Sequence, residues 1–165
     1  MNWRLILVAL VFLLPQLLLF SLPGRAADSH YQGLDAPLET WIKRHTAETR
    51  GQEYPEFRKS ASGDLNADGT EDFAVVYTLE GVRGGTDWLR FLAVFLRQGQ
   101  KVIYLDHLLV GGKGIRGANA VRIEDQVIKL NIREYQVTDA LCCPSKPGIA
   151  RFILKGGQLV ELKHE

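Results

Sequence analysis

Two short stretches of the chain carry side chains that could do chemistry. In Gly63-Asp64-Leu65-Asn66-Ala67-Asp68-Gly69-Thr70-Glu71-Asp72, oxygen-bearing side chains fall at Asp64, Asn66, Asp68 and Asp72, with a glycine where the loop must bend. The carbonyl of Thr70 lies between the last two of these. A hard cation such as Ca²⁺ takes six to eight oxygen ligands, and a tight loop with this spacing aims several of them inward together. The expectation is a Ca²⁺ site formed by Asp64, Asn66, Asp68, Thr70 and Asp72. The alternative is an Asp/Asn/Gly turn whose side chains cap their own backbone without metal. In the second stretch, Cys142-Cys143-Pro144-Ser145, the only two cysteines of the chain are adjacent.

The first nine positions of the acidic loop follow the EF-hand pattern, but the twelfth is Val75, where an EF-hand carries a bidentate Glu. Phe73-Ala74-Val75-Val76-Tyr77 is β-branched and aromatic, so the loop should lead into a strand rather than a helix. It resembles the Asp-x-Asn-x-Asp-Gly-x-x-Asp calcium loops of integrin-type β-propeller repeats, here in a single copy.

Adjacent Cα atoms lie about 3.8 Å apart across a trans peptide, closer than the usual disulfide range. A Cys142–Cys143 bridge is therefore expected to be strained, and strained bridges are more reducible. Three readings stay open: a vicinal disulfide that stiffens the turn, a pair of buried thiols, or a redox-active or metal-binding pair. Pro144 fixes φ and holds Cys143 extended, which suits the stiff turn.

The compartment is read from the N-terminus. Arg4 precedes the apolar run Leu5 to Leu14, Leu17 to Phe20 resumes it, and Gly24-Arg25-Ala26-Ala27 offers small residues for cleavage. Residues 1–27 are expected to be a signal peptide, which makes the protein exported, periplasmic or secreted. An uncleaved anchor is the rival, weakened by Pro15 and Gln16 in the middle of the apolar stretch. Residues 28–165 then form one domain, with 18 basic and 19 acidic residues and a net charge of −1. That balance argues against nucleic acid or anionic lipid as the main partner, because both select clustered positive charge.

The elements that would position these stretches read as α+β, mostly β: one N-terminal helix followed by an antiparallel meander. Asp35 can cap the helix, with Pro37 in its first turn and Leu38, Trp41, Ile42 and His45 on one face. The polar stretch 46–63 stops the helix, so that residues 28–60 read as helix and linker and residues 61–165 as calcium loop and antiparallel β domain. Strands are expected at 73–80, 88–98, 101–110, 120–124, 127–137, 149–155 and 158–162. Ile128, Leu130 and Ile132 alternate with Lys129, Asn131 and Arg133, as in a sheet with one wet face. Gly156-Gly157 suits a two-residue hairpin turn.

Other residues are weaker candidates. Gly111 to Gly117 could cradle an anion through backbone amides, Lys113 and Arg116, but it lacks a phosphate-loop pattern and reads as a connection between strands. Gly81 to Gly85 reads the same way. His30, His45, His107 and His164 are scattered and without zinc spacing. Ser145 lacks a nucleophile elbow, and Glu39, Glu48 and Glu53 read as a solvated face.

Taken in order, the leader, the acidic loop entering a strand, the glycine-rich loop with Arg116, and Cys142-Cys143-Pro144-Ser145 before a final hairpin are similar to a widespread set of small exported bacterial proteins of unassigned activity. The resemblance spans residues 61–162 and implies a bacterial envelope or secreted protein. The sequence reading is a non-enzymatic, calcium-binding β domain with an unknown envelope or extracellular ligand. An envelope enzyme, thiol-redox or hydrolytic, and a membrane-anchored accessory subunit are the alternatives.

Overall fold

A computed structural model of the chain describes residues 31–163. The leader, its cleavage region, His30 and His164 lie outside the described residues. Among those described, no helix is long and apolar enough to cross a membrane.

The fold is α+β and mostly β, with every strand pairing antiparallel. Helix α1 runs Asp35–Thr49, with Leu38, Trp41, Ile42 and His45 buried as their spacing requires. Leu34, not Asp35, occupies the N-cap position, and no side chain caps it. Asp35 instead sits in the first turn, where its charge favours the positive end of the helix dipole. Thr46 and Thr49 return their hydroxyls to carbonyls in the preceding turn, and Arg50 closes the helix with φ 55°.

Among the described residues nine strands follow: β1 Gln52–Glu53, β2 Lys59–Gly63, β3 Asp72–Glu80, β4 Trp88–Gln98, β5 Lys101–Gly112, β6 Gly117–Glu124, β7 Val127–Glu134, β8 Lys146–Lys155 and β9 Gln158–Leu162. They form two sheets rather than one continuous meander. In the first, β3 is flanked by β4 and β5 on one side, while β1 and β2 share its other edge. The second runs β6-β7-β8-β9. The chain changes sheet at the tight turn Gly112–Arg116, where the Gly112 N–H donates to the Arg116 carbonyl.

The molecule has three layers and two cores. Between the sheets, Ala74, Val76, Leu92 and Val94 meet Ile128, Leu130, Ile132, Ala150 and Phe152. On the far side of the first sheet, Phe73, Val75, Tyr77, Leu79 and Phe95 pack beneath Leu38, Trp41 and Ile42 of α1. The alternation at Ile128, Leu130 and Ile132 is buried inward as expected. The first sheet has no such wet face at β3, which is buried from Asp72 through Leu79.

β1 and β2 fall in the polar stretch 46–63, where no strand was expected. β2 is Lys-Ser-Ala-Ser-Gly, which has no β-branched or aromatic residue to announce it; its pairing with β3 supplies the order. Gly63 at its end is required by close approach, because a Cβ there would lie 2.6 Å from Ile123 Cγ2. β5 runs two residues further than expected and β8 begins three earlier, while β7 stops at Glu134, short of Val137. Gly156 and Gly157 form the expected turn with φ 60° and 80°.

Candidate functional site

The acidic loop joins β2 to β3 and is a ladder of side chains bonded to their own backbone. Asp64 Oδ1 accepts from the N–H groups of Asn66 and Ala67 at 3.2 and 2.8 Å, and its Oδ2 from Gly69 at 3.0 Å. Asn66 Oδ1 accepts from the Asp68 N–H at 3.1 Å, and its amide donates to Asp68 Oδ2 at 2.9 Å. Asp68 Oδ1 accepts from both the N–H and the hydroxyl of Thr70. These bonds let Ala67 and Gly69 hold φ of 62° and 81°.

Asp72 stands apart from the rest of the ladder. It is fully buried, with Oδ2 accepting from the Leu65 N–H at 3.0 Å and Oδ1 from the Arg97 N–H at 2.9 Å. One carboxylate thus fastens the start of the loop to the end of β4. Burial raises its pKa above the ordinary carboxylate value, against those two hydrogen bonds, and the charges of Asp68 and Asp64 push the same way. Asp68, exposed and bonded to Thr70 and Asn66, is held below that value.

The side chains of Asp64, Asn66 and Asp68 cap the loop's own backbone, and Asp72 is turned to Leu65 and Arg97. No group of three or more His, Cys, Asp or Glu side chains stands ready to hold a metal among the described residues. A loop of this type, however, also draws on Asn and carbonyl oxygens, and a carboxylate oxygen that accepts one N–H keeps a second lone pair.

The cysteines sit in the loop between β7 and β8 and form a disulfide with each other. Both are exposed, as are Val137 and Leu141. Exposure and the bond together remove the reading as buried thiols. Asp139 Oδ2 organises the loop, accepting from the N–H groups of Gln136 and Ser145 at 2.8 and 2.9 Å. The Gln136 side-chain amide donates to the Ser145 hydroxyl at 2.6 Å. The Tyr135 hydroxyl bonds the Leu141 carbonyl and accepts from the Gly114 N–H at 3.0 Å, tying this loop to the turn between the sheets.

The glycine-rich turn is not arranged as an anion cradle. Arg116 forms a two-pronged ion pair with Glu161 at 2.6 and 2.8 Å, and Lys113 pairs with Asp87 at 2.8 Å, so both cations already face carboxylates. Residues 81–85 form a short 3₁₀ turn. Glu39 and Glu53 both hold Arg58, at 2.7 Å each, and Glu48 faces Arg44 one turn away.

Sequence reasoning missed a cluster of rings between α1 and the first sheet. His45 Nδ1 shares a hydrogen bond with the Tyr77 hydroxyl at 2.8 Å, to which Trp41 Nε1 also donates at 3.0 Å. His107 Nδ1 bonds the Tyr104 hydroxyl at 2.9 Å, and the two imidazoles meet edge to face, 4.7 Å between centroids. Trp41 stacks on Tyr104 at 3.9 Å, with the Arg44 guanidinium 4.6 Å from the Trp41 ring. Burial, the facing His107 and Arg44 lower the His45 pKa to about 4, against the opposing charge of Glu48. Burial also lowers His107 and pushes Tyr104 up to about 12. Each imidazole has one nitrogen bonded to a tyrosine whose proton burial holds firmly, in a cluster that runs from buried His45 to half-buried His107. Residues 45 and 107 come from distant parts of the chain, and only ring-rich composition on α1 and β5 hinted at their meeting.

Set against protein families, curated proteins and solved structures, the chain gives no match.

Proposed function

We propose that the chain is an exported β domain, stabilised by one Ca²⁺ in the loop Asp64–Asp72, that serves as a non-enzymatic binding or accessory protein of the bacterial envelope or exterior. The observation that carries this reading is Asp72: a buried carboxylate, held at the mouth of the loop, whose pKa is raised by burial and by Asp68 and Asp64. Like charges gathered in and beside the core favour a bound cation. Asp64, Asn66, Asp68, the Thr70 carbonyl and Asp72 would hold it, and bound calcium would supply a positive charge that favours the ionised form of buried Asp72. The leader, the oxidised cysteines and the resemblance to small exported bacterial proteins support the location.

The binding role rests on what the molecule presents. His45 and His107 are bonded to Tyr77 and Tyr104, Ser145 is held in its loop by Gln136, Asp139 and Arg133, and Glu39, Glu48 and Glu53 face arginines. Calorimetric titration of residues 28–165 tests the calcium reading. Binding below millimolar calcium, weaker binding of magnesium and loss in Asp68→Ala are expected; no heat up to millimolar calcium would overturn it. Intact mass from an exporting host tests the location, with a chain beginning at Ala27 or Asp28 expected.

A further inference from the structure

The Cys142–Cys143 disulfide closes no loop of chain, since the two residues are neighbours. A disulfide that stabilises a fold does so chiefly by joining distant positions, and the effect grows with the length enclosed. The surrounding loop is also closed without it. Asp139 joins Gln136 to Ser145, the Gln136 amide reaches the Ser145 hydroxyl, the Cys143 N–H donates to the Ala140 carbonyl at 2.8 Å, and Arg133 donates to the Ser145 carbonyl at 3.2 Å. The Pro144 ring lies against Gly117 on β6. None of these contacts runs through a sulfur. Both cysteines nevertheless face solvent, where an incoming thiolate can reach them.

We propose that Cys142–Cys143 is a thiol–disulfide exchange site, a stoichiometric two-electron acceptor for thiols presented on a hydrogen-bonded loop. A thiolate attacks the Sγ of one cysteine, the S–S bond breaks, and the other cysteine leaves as a thiolate that takes a proton from water. A second thiolate attacks the mixed disulfide and releases the protein sulfur, which is protonated in turn. Two thiols are oxidised to a disulfide, and Cys142–Cys143 is reduced to two thiols. The two thiols come from two small molecules or from one dithiol protein, and the shared chemistry is the accessible thiolate.

The full chain, purified in oxidised form, is equilibrated with glutathione buffers and, in a separate arm, with a reduced dithiol protein of thioredoxin type. Free thiols are counted by alkylation and intact mass. Reduction by either donor, with the melting temperature of the reduced form within about 5 °C of the oxidised one, is the expected result. The faster donor identifies the kind of partner. A bond that survives a roughly thousandfold excess of reduced over oxidised glutathione, and survives the dithiol protein as well, overturns the proposal. So does a melting temperature that falls further than that on reduction, which would make the bond a brace. Cys143→Ser and Cys142→Ser add a second readout: at least one should trap a single glutathione, and trapping by neither counts against the site. The Asp64–Asp72 loop takes no part in these measurements, so their failure leaves the calcium reading untouched.

Discussion

Asp72 and Asp139 perform the same task in two different settings. Each carboxylate fastens a loop by accepting two backbone N–H donors: Asp72 from Leu65 and Arg97, Asp139 from Gln136 and Ser145. Asp139 does so half-buried at the surface, and its hydrogen bonds hold its pKa below the ordinary value. Asp72 does so in the core, where burial outweighs comparable bonds and raises the pKa. Hydrogen bonds favour the charged form in both places; the loss of water decides which sign prevails. The surface clamp keeps its charge readily, whereas the buried one keeps its charge against the loss of water.

The strongest way to break this contrast is Asp72→Ala. It leaves two N–H donors at the core boundary without partners, each costing about 1–3 kcal/mol, so denaturant unfolding should show a loss of about 2–6 kcal/mol. A loss under about 1 kcal/mol would mean that Asp72 is no more of a clamp than a surface residue.

Acid sharpens the contrast once His45 is separated out. His45 is nearly fully buried with a pKa lowered to about 4. The unfolded chain therefore binds the extra proton first, and stability falls as pH drops from about 6.5 to 4, by on the order of 3 kcal/mol. His45→Gln should flatten that limb in urea titrations at a series of pH values. Asp72 acts with the opposite sign: its raised pKa makes the folded state the better proton acceptor, so its contribution falls as pH rises through the folded value. Asp139, lowered, contributes stability above the unfolded value that is lost as pH falls through the folded one.

Calcium should reverse the Asp72 limb, because a bound cation favours the ionised form. At a hundredfold excess over the dissociation constant it adds about 2.7 kcal/mol, read as a rise of several degrees in melting temperature. The smallest effect is expected from Asp139→Ala, with a melting temperature within about 2 °C of wild type. Its signature is local: amide exchange at Gln136 and Ser145 should speed up while the β3 amides stay protected.

The helix, most of the nine strands and the final hairpin were legible in the sequence, since each is announced by local pattern or turn chemistry. The division into two sheets was not. It depends on Gly112–Arg116 folding into a tight turn and on β2 lying close to β6 through Gly63, and neither leaves a hydrophobic period. The acidic loop was recognised by spacing, but its bond to Arg97 lies 25 residues away and is invisible until β3 and β4 pair. The cysteine pair was legible as an adjacent pair, and the bond between them was one of the readings it left open. Asp139, which holds its loop, was not singled out, because a lone surface Asp is common. His45 was placed correctly on the helix face, while its meeting with His107 belongs wholly to tertiary packing.

The double burial of β3 sets where the chain can tolerate a change in length. Phe73, Val75, Tyr77 and Leu79 point beneath the helix, while Ala74 and Val76 point into the seam between the sheets. Inserting or deleting one residue would exchange these two sets, forcing aromatic rings into a space cut for a methyl group. A scan of single-codon insertions and deletions should therefore find Asp72 to Leu79 intolerant throughout. Survivors should collect at the tips near Gly99 and Gly156, which have open space around them. Natural length variation in this protein is expected to be written at the ends of its hairpins and never in its central strand.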